Sequence, residues 1–225
     1  EDRLDTIINA LKDARAVCRK ISVGMVILPE AMERILASIH IPIVSMVILH
    51  WIRSCLCDPE KVASSWSSRF LASQLVMVRE IAATHPLQHR LCLRLLQDVF
   101  SVECTIDPSI ASNAKKKLME CASYLMECGY VLPVLSMVEF IAPVQDQSIT
   151  RHFLLTVLDM AAPPFSLAFL EPMIRLLANA RIESSEHRAS VLAFVNHVLK
   201  PGEYQLSQTS RESLTKVQRT CSARS

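Results

Sequence analysis

Thiols and imidazoles are the side chains of this 225-residue sequence with the widest chemical reach: eight cysteines (Cys18, Cys55, Cys57, Cys92, Cys104, Cys121, Cys128 and Cys221) and seven histidines. Structural zinc calls for paired C-x2-C spacing, and neither Cys55-x-Cys57 nor Cys121 with Cys128 provides it. His85 and His89 are four apart and could share a helix face, but no acid lies between them as in H-E-x-x-H, which leaves helix-start and surface histidines as the plainer reading. A catalytic thiol needs an electropositive, partly exposed setting that lowers its pKa. The cysteines here stand among Leu, Met and Ala, as small core hydrophobes do. No G-x-S-x-G is present. The only glycines, Gly24, Gly129 and Gly202, are far apart, whereas a phosphate-cradling loop needs several together. No catalytic residue, metal or cofactor is expected, and the chain is expected not to be an enzyme.

Basic side chains hold more interest. Lys115-Lys116-Lys117 is a run on one helix, Arg90 and Arg94 share a face, and Arg151, Arg175, Arg181 and Arg188 accumulate toward the end. Each could touch phosphates or an acidic partner. Aromatics make up only 5% of the chain and do not interleave with these cations, as base stacking would require. The net charge of +2 gives no strong overall field. A solvated face is the competing reading, with Lys116 and Glu120 spaced as an i,i+4 pair. Of the two tryptophans, Trp51 sits in the most apolar segment and is expected in the core. Trp66, in Ser-Ser-Trp-Ser-Ser, fits equally an exposed partner anchor and a helix-start packing residue. The candidate partner or RNA contacts are therefore Lys115, Lys116, Lys117, Arg90, Arg94, Arg151, Arg175 and Trp66.

The elements that must carry these residues are helices. Apolar residues are 51% of the chain and are mostly aliphatic, and no Asn-Gly or Asp-Gly dipeptide offers a hairpin turn. Eleven prolines punctuate the chain into helix-sized pieces. Helical periodicity predicts helices over about 2–20, 29–40, 43–57, 65–83, 86–102, 108–129, 133–142, 149–161, 166–179 and 185–199. Asp107-Pro108 marks a start, Gly129 a stop, Ser148 a cap, and Leu87, Leu91, Leu95 and Val99 an apolar register. The fold class is all-α with about ten helices, either HEAT-like stacked hairpins or an irregular helical bundle. Residues 1–200 read as a single helical-repeat-like domain and 201–225 as a polar, flexible tail with at most a weak helix from Ser210. The uncharged run from Ile35 to Ile52 is split by Pro42 into pieces too short to span a bilayer, so no membrane is expected. Unpaired cysteines suit the cytosol or nucleus. A start at Glu1 without Met suggests an excised domain. A positive mean hydropathy (+0.28) suggests that some apolar surface serves a partner.

Several segments, in order, carry a resemblance. They are "HWIRSCLCDPE" (50–60), "ATHPLQHRLCLRLLQDVF" (83–100), "CGYVLPVL" (128–135), "RHFLLTVLDMAAPPFS" (151–166) and "SSEHRASVLAFVNH" (184–197). Together they resemble the C-terminal part of the C/D subunit of the negative elongation factor, over roughly 43–197. The most specific piece is the helix ending in Ala-Pro-Pro-aromatic, preceded by Gly-Tyr-Val-Leu-Pro. The resemblance implies a HEAT-like, non-catalytic subunit of a four-subunit nuclear complex that holds RNA polymerase II in a promoter-proximal pause. It implies the A and B subunits as partners, with single-stranded RNA as a further contact through basic patches. The rival function is a generic helical-repeat adaptor in a cytoplasmic complex, against which the order of the matched segments speaks.

Overall fold

A computed structural model describes residues 2–24, 29–66, 68–103, 106–182 and 184–223. Among them regular structure is wholly helical: α1 (Asp2–Gly24), α2 (Pro29–Ser38), α3 (Pro42–Leu56), the single turn α4 (Val62–Ser65), α5 (Ser68–Thr84), α6 (His89–Phe100), α7 (Pro108–Glu127), α8 (Val131–Ile141), α9 (Gln147–Met160), α10 (Leu167–Asn179), α11 (Ser185–Val198) and α12 (Gln208–Ser222). Cys104 lies outside the described residues. The chain forms two compact units, Glu1–Gly129 and Tyr130–Ser225, where a single domain was expected. Each unit is a packed helical bundle, the second of the two architectures the sequence left open.

Helix boundaries follow local chemistry. The Asp107 carboxylate accepts the Ser109 N–H at 2.7 Å and Pro108 fills the first helical position of α7, as expected. Gly129, at φ +92°, follows the last turn of α7, and its N–H donates to Met126 O. The cap of α9 is two residues earlier than expected. Asp146, not Ser148, is the N-cap, and its carboxylate accepts the Ser148 N–H at 2.6 Å. Pro133 sits within the first turn of α8 instead of opening it, because N–H groups of that turn have no intrahelical acceptor to lose. The helix expected over 65–83 is the short α4 followed by α5.

In the first unit, α3 packs on α1 and α6, and α7 packs on α5 and α6. Polar ties fix α3 and α6 at both ends. Near the starts, the Ser45 hydroxyl donates to Gln88 Oε1 at 2.9 Å, and Gln88 Nε2 donates to Pro42 O at 3.0 Å. Near the ends, Arg53 Nε meets Asp98 Oδ2 at 2.6 Å. Start meets start and end meets end, so the two helices run parallel. Ile48, Ile52, Leu56, Val78, Ile81, Leu96, Val99 and Leu118 fill the core. The expected register of α6 is half right. Leu95 and Val99 are buried, but Leu87 is 98% exposed and Leu91 40% exposed, because Cys92, Leu96 and Phe100 take the inward positions.

Trp66 belongs to this core. It is 1% exposed, and its indole N–H donates to the Leu56 carbonyl at 3.1 Å. That carbonyl ends α3, where the helix has no N–H of its own to offer. The packing role is the one realised, and burial removes Trp66 from the candidate contacts.

In the second unit, α10 packs on α8 and α12, and α11 packs on α9 and α12. The residues after Lys200 do not form a free tail. Ser207 caps α12 through its side chain, and Leu214, Val217 and Cys221 are buried against α10 and α11. The stretch is polar on average, but these three residues, with Ser210, recur at helical spacing on one face. The Ser210 hydroxyl donates to Glu171 Oε2 on α10 at 2.7 Å. The Ala-Pro-Pro-aromatic segment has a clear packing role. The Phe165 ring lies 5.6 Å from Phe169, 5.4 Å from Phe194, 5.8 Å from His197 and 6.2 Å from Tyr204. The Phe165 N–H donates to the Tyr204 hydroxyl at 3.1 Å.

The burial of Trp66 generates a stability prediction. Trp66→Ala lowers unfolding free energy by about 3–5 kcal/mol, the range for emptying a large aromatic site. Trp66→Phe lowers it by about 1–3 kcal/mol, mainly by leaving the Leu56 carbonyl unpaired. Urea denaturation followed by circular dichroism measures both, and a Trp66→Phe cost near zero would rule out the carbonyl cap.

Candidate functional site

The cysteines resolve first. Cys18, Cys55, Cys92, Cys121 and Cys221 are buried, and Cys57 and Cys128 are half-buried. Burial away from water pushes the Cys18, Cys92 and Cys121 thiols from an ordinary 9.0 up to about 12. The Cys57 and Cys128 thiols are raised as well, again chiefly by burial. Every one of these shifts opposes the thiolate a nucleophile needs. His89 is buried with Nε2 at 2.9 Å from Ala82 O, and His85 Nε2 lies 2.8 Å from Ile39 O. These imidazoles tie helix ends and turns together. Among the described residues no group of three or more His, Cys, Asp or Glu side chains could hold a metal ion.

The candidate cations fall into four environments. Arg175 is engaged within its own unit: Nε and Nη2 donate to the two Glu139 carboxylate oxygens at 2.6 and 3.2 Å, and Glu171 lies 3.9 Å away. Its charge is thereby balanced. It lines a cleft of about 580 Å³ with Gln145, Gln147, Thr150 and Asn179. Arg151 Nη1 donates to the Arg181 carbonyl at 3.1 Å and so closes a loop. Lys115, Lys116 and Lys117 are half-buried on α7. Arg90 and Arg94 stand apart. Both are exposed on α6, and neither side chain forms an ion pair or hydrogen bond among the described residues.

Beside Arg94 the structure places a feature absent from the candidate residues. The parallel α3 and α6 border a groove of about 300 Å³ lined by Met46, Leu49, His50, Arg53, Leu91, Arg94, Leu95 and Asp98. Met46 is 49% exposed, and Ile43, one turn earlier on α3, is equally open. Leu87 and Leu91 extend the apolar stripe on the α6 side. The segment 43–57 is apolar nearly all round; its inner face is buried, but Ile43 and Met46 open to the surface. The signal was present as an excess of apolar residues over what one buried face needs.

The thiol environments predict site-resolved reactivity. At pH 8, alkylation followed by peptide mass spectrometry labels Cys57 and Cys128 first, and labels Cys18, Cys92 and Cys121 only once denaturant is added. The same shifts set a pH dependence. A thiol whose pKa is raised on folding favours the native state fully below the unfolded value of 9.0, and that contribution is lost as pH rises toward about 12. Stability measured by urea titration should therefore fall from pH 9 upward; a flat profile would contradict the assigned burial.

Comparison with known proteins follows the same outline. The model of the family described as TH1 protein matches residues 1–200, a longer stretch than the quoted segments span. Negative elongation factor D of Sus scrofa is 26% identical over 204 residues, covering 88% of this chain and 34% of its own length. Negative elongation factor D of Mus musculus matches with the same identity and coverage. The chain thus spans about a third of the length of each relative. Helix α12 lies beyond the residues the family model matches. A match over most of the chain, by the same family of subunits that the quoted segments resemble, places this chain in the TH1 protein family.

Proposed function

We propose that this chain is a non-catalytic scaffold portion of a complex that promotes promoter-proximal pausing of RNA polymerase II, and so regulates transcription elongation negatively in the nucleus. It binds partner subunits of the A and B kinds through exposed apolar helix faces. The observation that carries the reading is the match to the TH1 family over 1–200, together with an exposed aliphatic surface beside Arg90 and Arg94. The helices offer surface and rigidity, which is what a scaffold supplies.

RNA contact in this reading is electrostatic and secondary. Lys115, Lys116 and Lys117, three consecutive cations on α7, are its source, whereas Arg175 is neutralised by Glu139.

Two measurements test these points. A pull-down of this chain from nuclear extract, read by mass spectrometry, recovers other negative elongation factor subunits; recovery of a cytoplasmic assembly in their place would favour the adaptor function. Filter binding to single-stranded RNA gives weak affinity whose log–log salt slope is about −2, the value for three lysines on a single strand. Substituting the three lysines with alanine removes that slope, and tight binding insensitive to salt would overturn the electrostatic account.

A further inference from the structure

The groove between α3 and α6 has the form of a docking trough. From Ile43 to Arg53 the exposed edge of α3 runs about 15 Å at the helical rise, enough to seat some three turns of a facing helix. Buried Leu49 and Leu95 form its floor, and half-exposed Met46 and Leu91 its walls. Two helices side by side present ridges and a groove that a third helix can fill.

Charge selects the occupant. Arg53 is offset by Asp98, but Arg90 and Arg94 are exposed without a carboxylate partner among the described residues. The rim is therefore net positive beside an aliphatic floor. We propose that this groove receives an amphipathic helix of another polypeptide, which lays aliphatic side chains on Met46 and Leu91 and carboxylates on Arg90 and Arg94. The proposal rests on the reading of this face as a subunit contact and adds the chemistry of the partner.

Competing occupants fit less well. A second copy of this chain docked through the same groove would add two more exposed arginines, while the groove carboxylate Asp98 is already engaged by Arg53. A nucleic acid would find the two arginines but no Phe, Tyr or Trp ring in the groove on which to stack its bases.

The test is site-directed photo-crosslinking with this chain in nuclear extract. A photo-reactive residue replaces Met46 in one variant and Leu91 in another, with Asn113 on α7 as an exposed control position. Mass spectrometry of the crosslinked peptide should return one segment from Met46 and Leu91 and not from Asn113. Its apolar residues should recur every three to four positions, with Asp or Glu beside them. Adding Arg90→Glu and Arg94→Glu should lower the crosslinking yield about tenfold, since each of two rim attractions becomes a repulsion. Circular dichroism verifies that the double variant keeps its helices. Failure to crosslink, a basic segment, a nucleic acid, a second copy of this chain, or a yield indifferent to charge reversal would each overturn the proposal. Recovery of elongation-factor subunits without a crosslink at these positions would sink the groove alone. An acidic amphipathic segment from an unrelated protein would support the groove and sink the proposed function.

Discussion

The side-chain amide of Gln88 fixes more of the first unit than its size suggests. It is buried, accepts from the Ser45 hydroxyl and donates to the Pro42 carbonyl, so the start of α6 is held in register with the start of α3. A buried amide must satisfy its donors and acceptor or lose a large share of its hydration energy, so only one sliding position of the two helices is favourable. With that register set, Arg53 reaches Asp98 at the far end, and Met46 stands across from Leu91. Aliphatic packing alone, which is tolerant of small slips, would not choose this alignment.

The second unit solves a related problem with rings. Aromatics are scarce in the chain, yet Phe165, Phe169, Phe194, His197 and Tyr204 gather around the turn that follows α9. The Tyr204 hydroxyl accepts from the Phe165 N–H, so residues after α11 are drawn onto the turn. Helix α12 then continues into a slot on α10 and α11. Its buried Leu214, Val217 and Cys221 supply the apolar contact, and Ser210 bonded to Glu171 supplies the polar one. The Ala-Pro-Pro-aromatic segment is thus a packing centre.

Among the described residues the thiols are buried or half-buried, and burial raises the pKa of Cys92 and Cys121. His85 and His89 bind backbone carbonyls, and Arg175 in the second unit is balanced by a carboxylate. In the first unit an aliphatic strip of Ile43, Met46, Leu87 and Leu91 is open, and Arg90 and Arg94 stand exposed on α6 beside it.

Much was legible in the sequence because helix formation is local. Scarce glycine, aliphatic periodicity, prolines at first turns and the Asp107-Pro108 and Gly129 signals act within one or two turns, so the all-α class and most helix positions followed from them. The cysteines as core residues followed from their neighbours. Tertiary structure decided the rest, since it depends on which residues far apart in the chain meet. Only packing could choose between partner anchor and core for Trp66, turn Leu87 and Leu91 outward, neutralise Arg175 with Glu139 while leaving Arg90 and Arg94 exposed, and give α12 a surface to fold on. A helix face records how much apolar surface it carries, but whether that surface is spent inside the fold or left for a partner depends on the neighbours, which periodicity does not encode.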